Sequence, residues 1–181
     1  MTYLDQIDVV PNFPKAGINF YDIQSVLKKP DIWQNMMDDL TAYAKKMNPD
    51  VIVGIESRGF LTGLPVAQTL GLPFGLVRKA GKLPGEVIAQ TYALEYGEDT
   101  IEIQKSLLVA GSRVLIMDDL LATGGTAKAC GDLIRQSGAE ILGLACIIEL
   151  PELGGRAKLD FDFHALVQAP LDPFAEKQKT A

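Results

Sequence analysis

Residues Arg113-Val114-Leu115-Ile116-Met117-Asp118-Asp119-Leu120-Leu121-Ala122-Thr123-Gly124-Gly125-Thr126 decide how this chain reads. Val114 to Met117 is a short continuous apolar run, the pattern of a strand buried on both faces. It stops at two adjacent carboxylates, Asp118 and Asp119, and gives way to a turn of small residues from Ala122 to Thr126. A helical pattern follows, from about Ala127 to Gly138. Such a turn aims several backbone N–H groups at one anion, and the helix dipole adds favourable potential at the same place. Gly124 and Gly125 allow a ligand close to the backbone, Thr123 and Thr126 add hydroxyl donors, and the two aspartates are acceptors for vicinal ribose hydroxyls. An acid pair or a Gly-Gly turn alone is an ordinary polar strand-to-helix connection. The combination points to a ribose-phosphate site.

Working outward, further short apolar runs read as buried parallel strands: Val51–Ile55, Pro73–Val77 and Ile141–Ile148. Helical patterns alternate with them, over Pro30–Met47, Gly59–Leu70 and Thr126–Ser137. Asp31 after Pro30 fits a helix start, and Gly71 and Gly138 fit helix ends. The alternation predicts an α/β fold, a mostly parallel twisted sheet flanked by helices. Ligands in such folds gather at the carboxyl ends of the strands. Asp118-Asp119 and Glu56-Ser57-Arg58 both fall at such ends.

Two segments break the pattern. Residues 1–27, with Phe13-Pro14-Lys15-Ala16-Gly17-Ile18-Asn19-Phe20-Tyr21, read as a small irregular N-terminal hood. Residues 80–106 read as a mobile two-stranded loop over the site. One strand passes through Thr91-Tyr92-Ala93-Leu94-Glu95-Tyr96, Gly97-Glu98-Asp99 supplies a turn, and Thr100–Gln104 returns. The expected organisation is a single domain over 1–181.

The 181 residues are 48% hydrophobic and 22% charged, enough for a sizeable core and a polar surface. A net charge of −6 argues against nucleic-acid or membrane-surface partners. No apolar run has the length of a membrane span, and the polar, acidic N-terminus does not resemble a signal peptide. Cys130 and Cys146 fall in a helical and a strand pattern, as small core residues of a reducing compartment; a cytoplasmic location is expected.

Three further groups carry chemistry with alternatives. Glu56-Ser57-Arg58-Gly59 either caps a helix with Ser57 or binds a second phosphate. Arg78-Lys79-Ala80-Gly81-Lys82 is either a solvated basic loop or the neutralising surface for a diphosphate. Glu95 is either an exposed strand glutamate or a general acid/base above the reacting group. Other schemes fit poorly. His164 is the single histidine, which disfavours a His/Cys metal cluster. Gly54 and Ser57 are one residue too far apart for a serine-hydrolase elbow, and Leu83 stands where a phosphate-binding Walker loop needs Ser or Thr.

The acid pair followed by Thr123-Gly124-Gly125-Thr126 resembles the phosphoribosyl diphosphate (PRPP) motif of the type I phosphoribosyltransferases. Four more stretches narrow the resemblance to the adenine-specific family: Phe13 to Ile23, Ile55 to Phe60, Arg78 to Gly85 and Leu94 to Gly97. Leu120, Thr123 and Gly125 differ from the pattern of xanthine-acting relatives, whereas Gln24-Ser25 stands where the family usually has Thr-Pro. The resemblance implies a reaction of adenine with PRPP giving AMP and diphosphate, in purine salvage, by a homodimer. It implies Mg²⁺ carried mainly by substrate oxygens and water, with no dedicated metal ligands. It further implies that Asp118, Asp119, Ala122, Thr123, Gly124, Gly125 and Thr126 bind the ribose phosphate. Ser57, Arg58, Arg78, Lys79 and Lys82 would surround the diphosphate, some of them from the partner subunit. Asn19, Phe20, Tyr21 and Leu150 would bind adenine, and Glu95 would manage a proton on its imidazole edge. Some proteins of this fold are ligand-sensing regulators instead; those usually carry a basic face or an added nucleic-acid module.

Overall fold

The computed structural model describes residues 2–93 and 97–174. Strands β1 (Asp8–Pro11) and β2 (Asn19–Asp22) open the chain, followed by the one-turn helix α1 (Gln24–Leu27) and the long helix α2 (Pro30–Met47). Then come β3 (Val51–Ile55), α3 (Gly59–Leu70), β4 (Phe74–Lys79), β5 (Val87–Ala93) and β6 (Glu98–Gln104). The last part holds β7 (Arg113–Met117), β8 (Leu120–Leu121), α4 (Gly125–Gln136), β9 (Glu140–Glu149) and β10 (Asp162–Gln168).

The main sheet runs β10-β9-β7-β3-β4-β6-β5, with β8 attached to β9. The first four junctions, from β10 to β4, are parallel, and β6 and β5 join as antiparallel strands. Alternation along the strands fills two cores. Ile52, Leu115, Met117, Ala145 and Ile147 point to the face covered by α2 and α3. Val53, Ile55, Val114, Ile116, Leu144 and Cys146 point to the opposite face, against Cys130, Leu133 and Ile134 of α4. The expected mostly parallel sheet between helices is therefore the fold observed.

Several expected elements are corrected in extent. Strand β4 runs past Val77 to Lys79, because Arg78 and Lys79 gain antiparallel partners in Glu102 and Ile101 of β6. Arg78 and Lys79 are thus strand residues. The hood is no irregular flap: β1 and β2 pair from Asp8↔Asp22 to Pro11↔Asn19. Ile7, Tyr21 and Ile23 anchor it in the same core as Val26 and Met36, and the Tyr21 hydroxyl donates to the Pro170 carbonyl at 2.5 Å. The two-stranded excursion forms, but with shifted bounds: its ladder runs from Val87↔Gln104 to Ala93↔Glu98. Glu98 and Asp99, expected in the turn, are strand residues paired with Ala93 and Tyr92, and Leu94 to Tyr96 fall outside the described residues. The excursion extends the main sheet and lies against α4. β10 was not anticipated.

Candidate active site

The carboxyl ends of β3 and β7 lie side by side, since Gly54 pairs with Met117. This brings the segment after Ile55 against the acid pair. Asp118 and Asp119 are fixed through their backbone. The Asp118 N–H donates to Ala145 O at 3.1 Å, and Asp119 O accepts from Ile147 and Ile148 N–H at 3.1 and 3.0 Å. Asp118 Oδ1 accepts the Asp119 N–H at 2.9 Å, and the buried Thr62 hydroxyl donates to Asp118 O at 3.2 Å.

Asp119 is 3% exposed, and Arg58 Nε lies 3.0 Å from its Oδ2. The contact is Coulombic: Arg58 Nη1 and Asp119 Oδ2 are both buried with no hydrogen-bond partner among the described residues. Buried polar atoms left in this state leave hydrogen-bonding capacity for a ligand. Burial pushes both aspartates above the ordinary carboxylate range. Asp119 raises Asp118 further, whereas Arg58 pulls Asp119 partly back.

The pair opens into a polar cavity of about 250 Å³ that also takes in Glu56, Arg58 and the turn from Ala122 to Thr126. The turn ends at Gly124, with φ of 77°, which N-caps α4; no side chain bonds into that helix start. Its first amides therefore face the cavity uncapped, the arrangement that receives a phosphate. The turn is braced from behind by Gly155. A Cβ on Gly155 would stand 2.1 Å from the Ala122 carbonyl oxygen, and one on Gly124 would stand 2.5 Å from the Gly155 carbonyl. Gly155 is held by its neighbour Arg156, whose Nε and Nη2 each donate at 3.1 Å to the two oxygens of buried Glu149. Gln168 adds a third bond to Glu149 at 2.9 Å.

A second cavity, of about 380 Å³ and largely apolar, lies between the hood and Leu150. Asn19, Phe20, Tyr21 and Leu150 all line it. The Phe20 ring sits edge-on to Phe13 at 5.2 Å and beneath the Arg58 guanidinium at 5.1 Å. The Tyr21 side chain is buried, with its hydroxyl on Pro170 O, and the Asn19 side chain donates to Leu171 O at 3.2 Å. Arg58, Leu120, Ala122 and Thr123 line both cavities, so the two meet along these residues.

The sequence-derived basic set divides. Arg58 stands between the cavities. Ser57 does not cap α3, whose N-cap is Arg58 with no side-chain bond. Arg78 lies outside both cavities and grips Glu56 with two bonds of 3.2 Å. Partial desolvation tends to raise Glu56, but Arg78 and the Lys79 amide outweigh it and hold the carboxyl below its usual range. Lys79 pairs with Asp99 at 3.0 Å, which raises its pKa, and Lys82 is exposed. Glu95 falls outside the described residues. No group of three or more His, Cys, Asp or Glu arranged to hold a metal occurs among those described. No helix among them is long and apolar enough to cross a membrane.

Sequence reasoning missed Tyr92, Gly155, Arg156 and Glu149. The Tyr92 hydroxyl lies 3.0 Å from Thr126 Oγ1. The adjacent Gly154-Gly155 pair was the one local signal for the brace.

Comparison with known proteins agrees with this geometry. Residues 26–167 match the phosphoribosyl transferase domain family. The adenine phosphoribosyltransferase of Rhodospirillum rubrum is 50% identical over 167 residues, covering 92% of this chain and 98% of that protein. The crystal structure of the adenine phosphoribosyltransferase of Thermoanaerobacter pseudethanolicus superposes with a TM-score of 0.88 at 42% identity, over 91% of this chain and 96% of that one. The Saccharomyces cerevisiae adenine phosphoribosyltransferase, solved with an imino-altritol bisphosphate and adenine, gives 0.87 at 42% identity, over 91% and 98%. On this identity and coverage, the chain belongs to the adenine phosphoribosyltransferase family.

Proposed function

We infer that the chain transfers the 5-phosphoribosyl group of PRPP to adenine, giving AMP and diphosphate, a purine-salvage reaction carried out by residues 1–181 as one unit. The observation that carries this reading is the junction of the two cavities at Arg58. A largely apolar cavity of about 380 Å³, roomy enough for a purine base, opens directly onto a polar pocket lined by the acid pair and by the start of α4.

The uncapped amides of α4, with Thr123 and Thr126, hold the 5′-phosphate, and Asp118 and Asp119 accept from the ribose hydroxyls. Adenine lies against Phe20 and over Leu150. The hood backbone near Asn19 and Tyr21 reads its N1 and N6 edge, where a C=O beside an N–H complements adenine. A 6-oxopurine reverses both partners and leaves buried groups unpaired, at about 1–3 kcal/mol each. As diphosphate leaves, the anomeric carbon gains oxocarbenium character, and the carboxylates beneath the ribose favour that charge. The base nitrogen attacks the opposite face, and Glu95 manages the proton on the imidazole edge. Mg²⁺ carried by the substrate would neutralise diphosphate charge, and Asp119 Oδ2, paired with Arg58 but without a hydrogen bond, would accept from a ribose hydroxyl or from a water of the ion's shell.

Ser57, Arg58, Arg78, Lys79 and Lys82 form the diphosphate surface. Arg78 and Lys79 line neither cavity and are paired with Glu56 and Asp99, so they reach the diphosphate by exchanging these acids for it, and a second subunit of a homodimer adds further basic groups. Exposed Leu61 and Leu64, one turn apart on α3, and Leu76 on β4 offer apolar area for it. Free, buried Cys130 and Cys146 suit a reducing cytoplasm.

The test is chromatography of the reaction mixture with PRPP, Mg²⁺ and adenine, omitting each in turn. AMP and diphosphate in equal amounts, formed only in the complete mixture, support the reading. PRPP binding without turnover supports a ligand sensor instead.

A further inference from the structure

Tyr92 lies near the end of β5, on the excursion that extends the sheet, and not in the PRPP motif. Its hydroxyl is 3.0 Å from Thr126 Oγ1, with either oxygen able to donate. Its ring carbons stand 3.7 and 3.9 Å from the position a Cβ would take on Gly125. The ring therefore leans on the first residue of α4, and the hydroxyl reaches the second. On its own sheet Tyr92 faces Asp99 across the ladder, and Asp99 holds Lys79. One side chain thus joins the start of α4 to the hairpin and to the basic strand.

The Asp99 carboxylate is a second acceptor for the phenol proton, but it already accepts from Lys79 and from the Thr100 N–H. The chemistry of the two adjoining hydroxyls gives the Tyr92–Thr126 contact a direction. A threonine hydroxyl has one proton and two lone pairs. A phosphate near neutral pH accepts hydrogen bonds and offers few or no protons. When phosphate occupies the α4 amides, the Thr126 proton is best spent on it, and the Thr126 lone pair is left to accept from Tyr92. Without the phenol, the hydroxyl in the first helical turn is free to rotate toward other acceptors.

We propose that Tyr92 is a positioning residue of the 5′-phosphate subsite, whose phenol donates to Thr126 and so points the Thr126 hydroxyl at the phosphate. This rests on the reading of the α4 start as that subsite. It makes the β5–β6 hairpin part of ribose-phosphate binding, through a residue that touches no substrate.

The test is calorimetric titration of full-length wild type, Tyr92→Phe, Thr126→Val and the double variant with AMP, inorganic diphosphate and adenine. Phenylalanine keeps the ring, so the variant loses the hydroxyl alone. Expected is a three- to tenfold loss of AMP affinity in Tyr92→Phe, the scale of one net hydrogen bond. Diphosphate and adenine, which lack the 5′-phosphate, should change less than about twofold. In the Thr126→Val background, Tyr92→Phe should cost AMP nothing further. Equal losses for all three ligands, an unchanged AMP affinity, or full additivity of the two substitutions would each overturn the proposal. Wild-type protein that binds diphosphate but not AMP would overturn the subsite reading and the proposal with it.

Discussion

Arg58 Nε stands 3.0 Å from Asp119 Oδ2, and the same guanidinium covers the Phe20 ring. One side chain therefore spans the boundary between the ribose pocket and the base pocket. Neither bare cation nor bare carboxylate is left facing an apolar slot, yet one buried atom of each lacks a hydrogen bond. A ribose hydroxyl arriving at Asp119 satisfies what Arg58 does not.

From this relationship, Arg58→Ala should weaken PRPP and adenine unequally. Loss of a charged contact is worth about 1.5–3 kcal/mol, so PRPP affinity should fall about ten- to hundredfold. Loss of the guanidinium over Phe20, at about 0.5–1 kcal/mol, should cost adenine about two- to fivefold. Arg58→Lys should restore part of the PRPP affinity and little of the adenine affinity, since an ammonium keeps the charge but does not stack as a planar guanidinium does. Calorimetric titration with each substrate separates the two.

Asp118 is held above the ordinary carboxylate range by burial and by Asp119. A carboxyl raised in the folded state contributes stability below its unfolded pKa and loses it as pH climbs toward the raised value. Asp118→Asn should therefore make the ligand-free protein more stable than wild type at neutral pH, with the gain shrinking as pH falls toward about 4. Asn Oδ1 can still accept the Asp119 N–H. The same variant should bind PRPP more weakly, which trades function for stability. Melting curves between about pH 4 and 8, with and without PRPP, check both signs.

Gly155→Ala should disturb the phosphate turn without touching substrate. Its Cβ would meet backbone atoms of Ala122 and Gly124, not the flexible end of a side chain. Overpacking of this kind costs about 1–3 kcal/mol. The expected result is a lower Tm together with a raised KM for PRPP and little change in KM for adenine. A lowered Tm with both constants unchanged would separate the brace from the site.

Glu95→Gln should leave PRPP binding nearly intact and lower turnover by about ten- to a thousandfold, around the usual range for general acid/base groups. Single-turnover measurement of AMP formation isolates the chemical step. Unchanged turnover would remove Glu95 from the mechanism.

Local pattern carried much of the fold. The runs at Val51–Ile55 and Pro30–Met47 match β3 and α2 to the residue, because a continuous apolar run and a capped 3.6-residue period are complete within themselves. The acid pair and the α4 start were legible for the same reason: strand, turn and helix are consecutive. What was not legible depends on partners distant in sequence. β4 extends to Lys79 because β6 returns beside it, and no feature of residues 78–79 announces that. Arg78 and Lys79 read as a free basic patch until Glu56 and Asp99 arrive from other strands. Gly155 looks like any loop glycine until the Ala122 carbonyl is placed against it. The strand β10 has half-buried positions, without the fully apolar run that marked its neighbours.

The most direct measurement of the central claim is nucleotide formation from PRPP and Mg²⁺ with adenine, hypoxanthine, guanine and xanthine in parallel. The account predicts AMP from adenine, with the three oxopurines giving almost none. IMP, GMP or XMP formed at a comparable rate would contradict the hood's reading of the base while leaving the ribose-phosphate site in place.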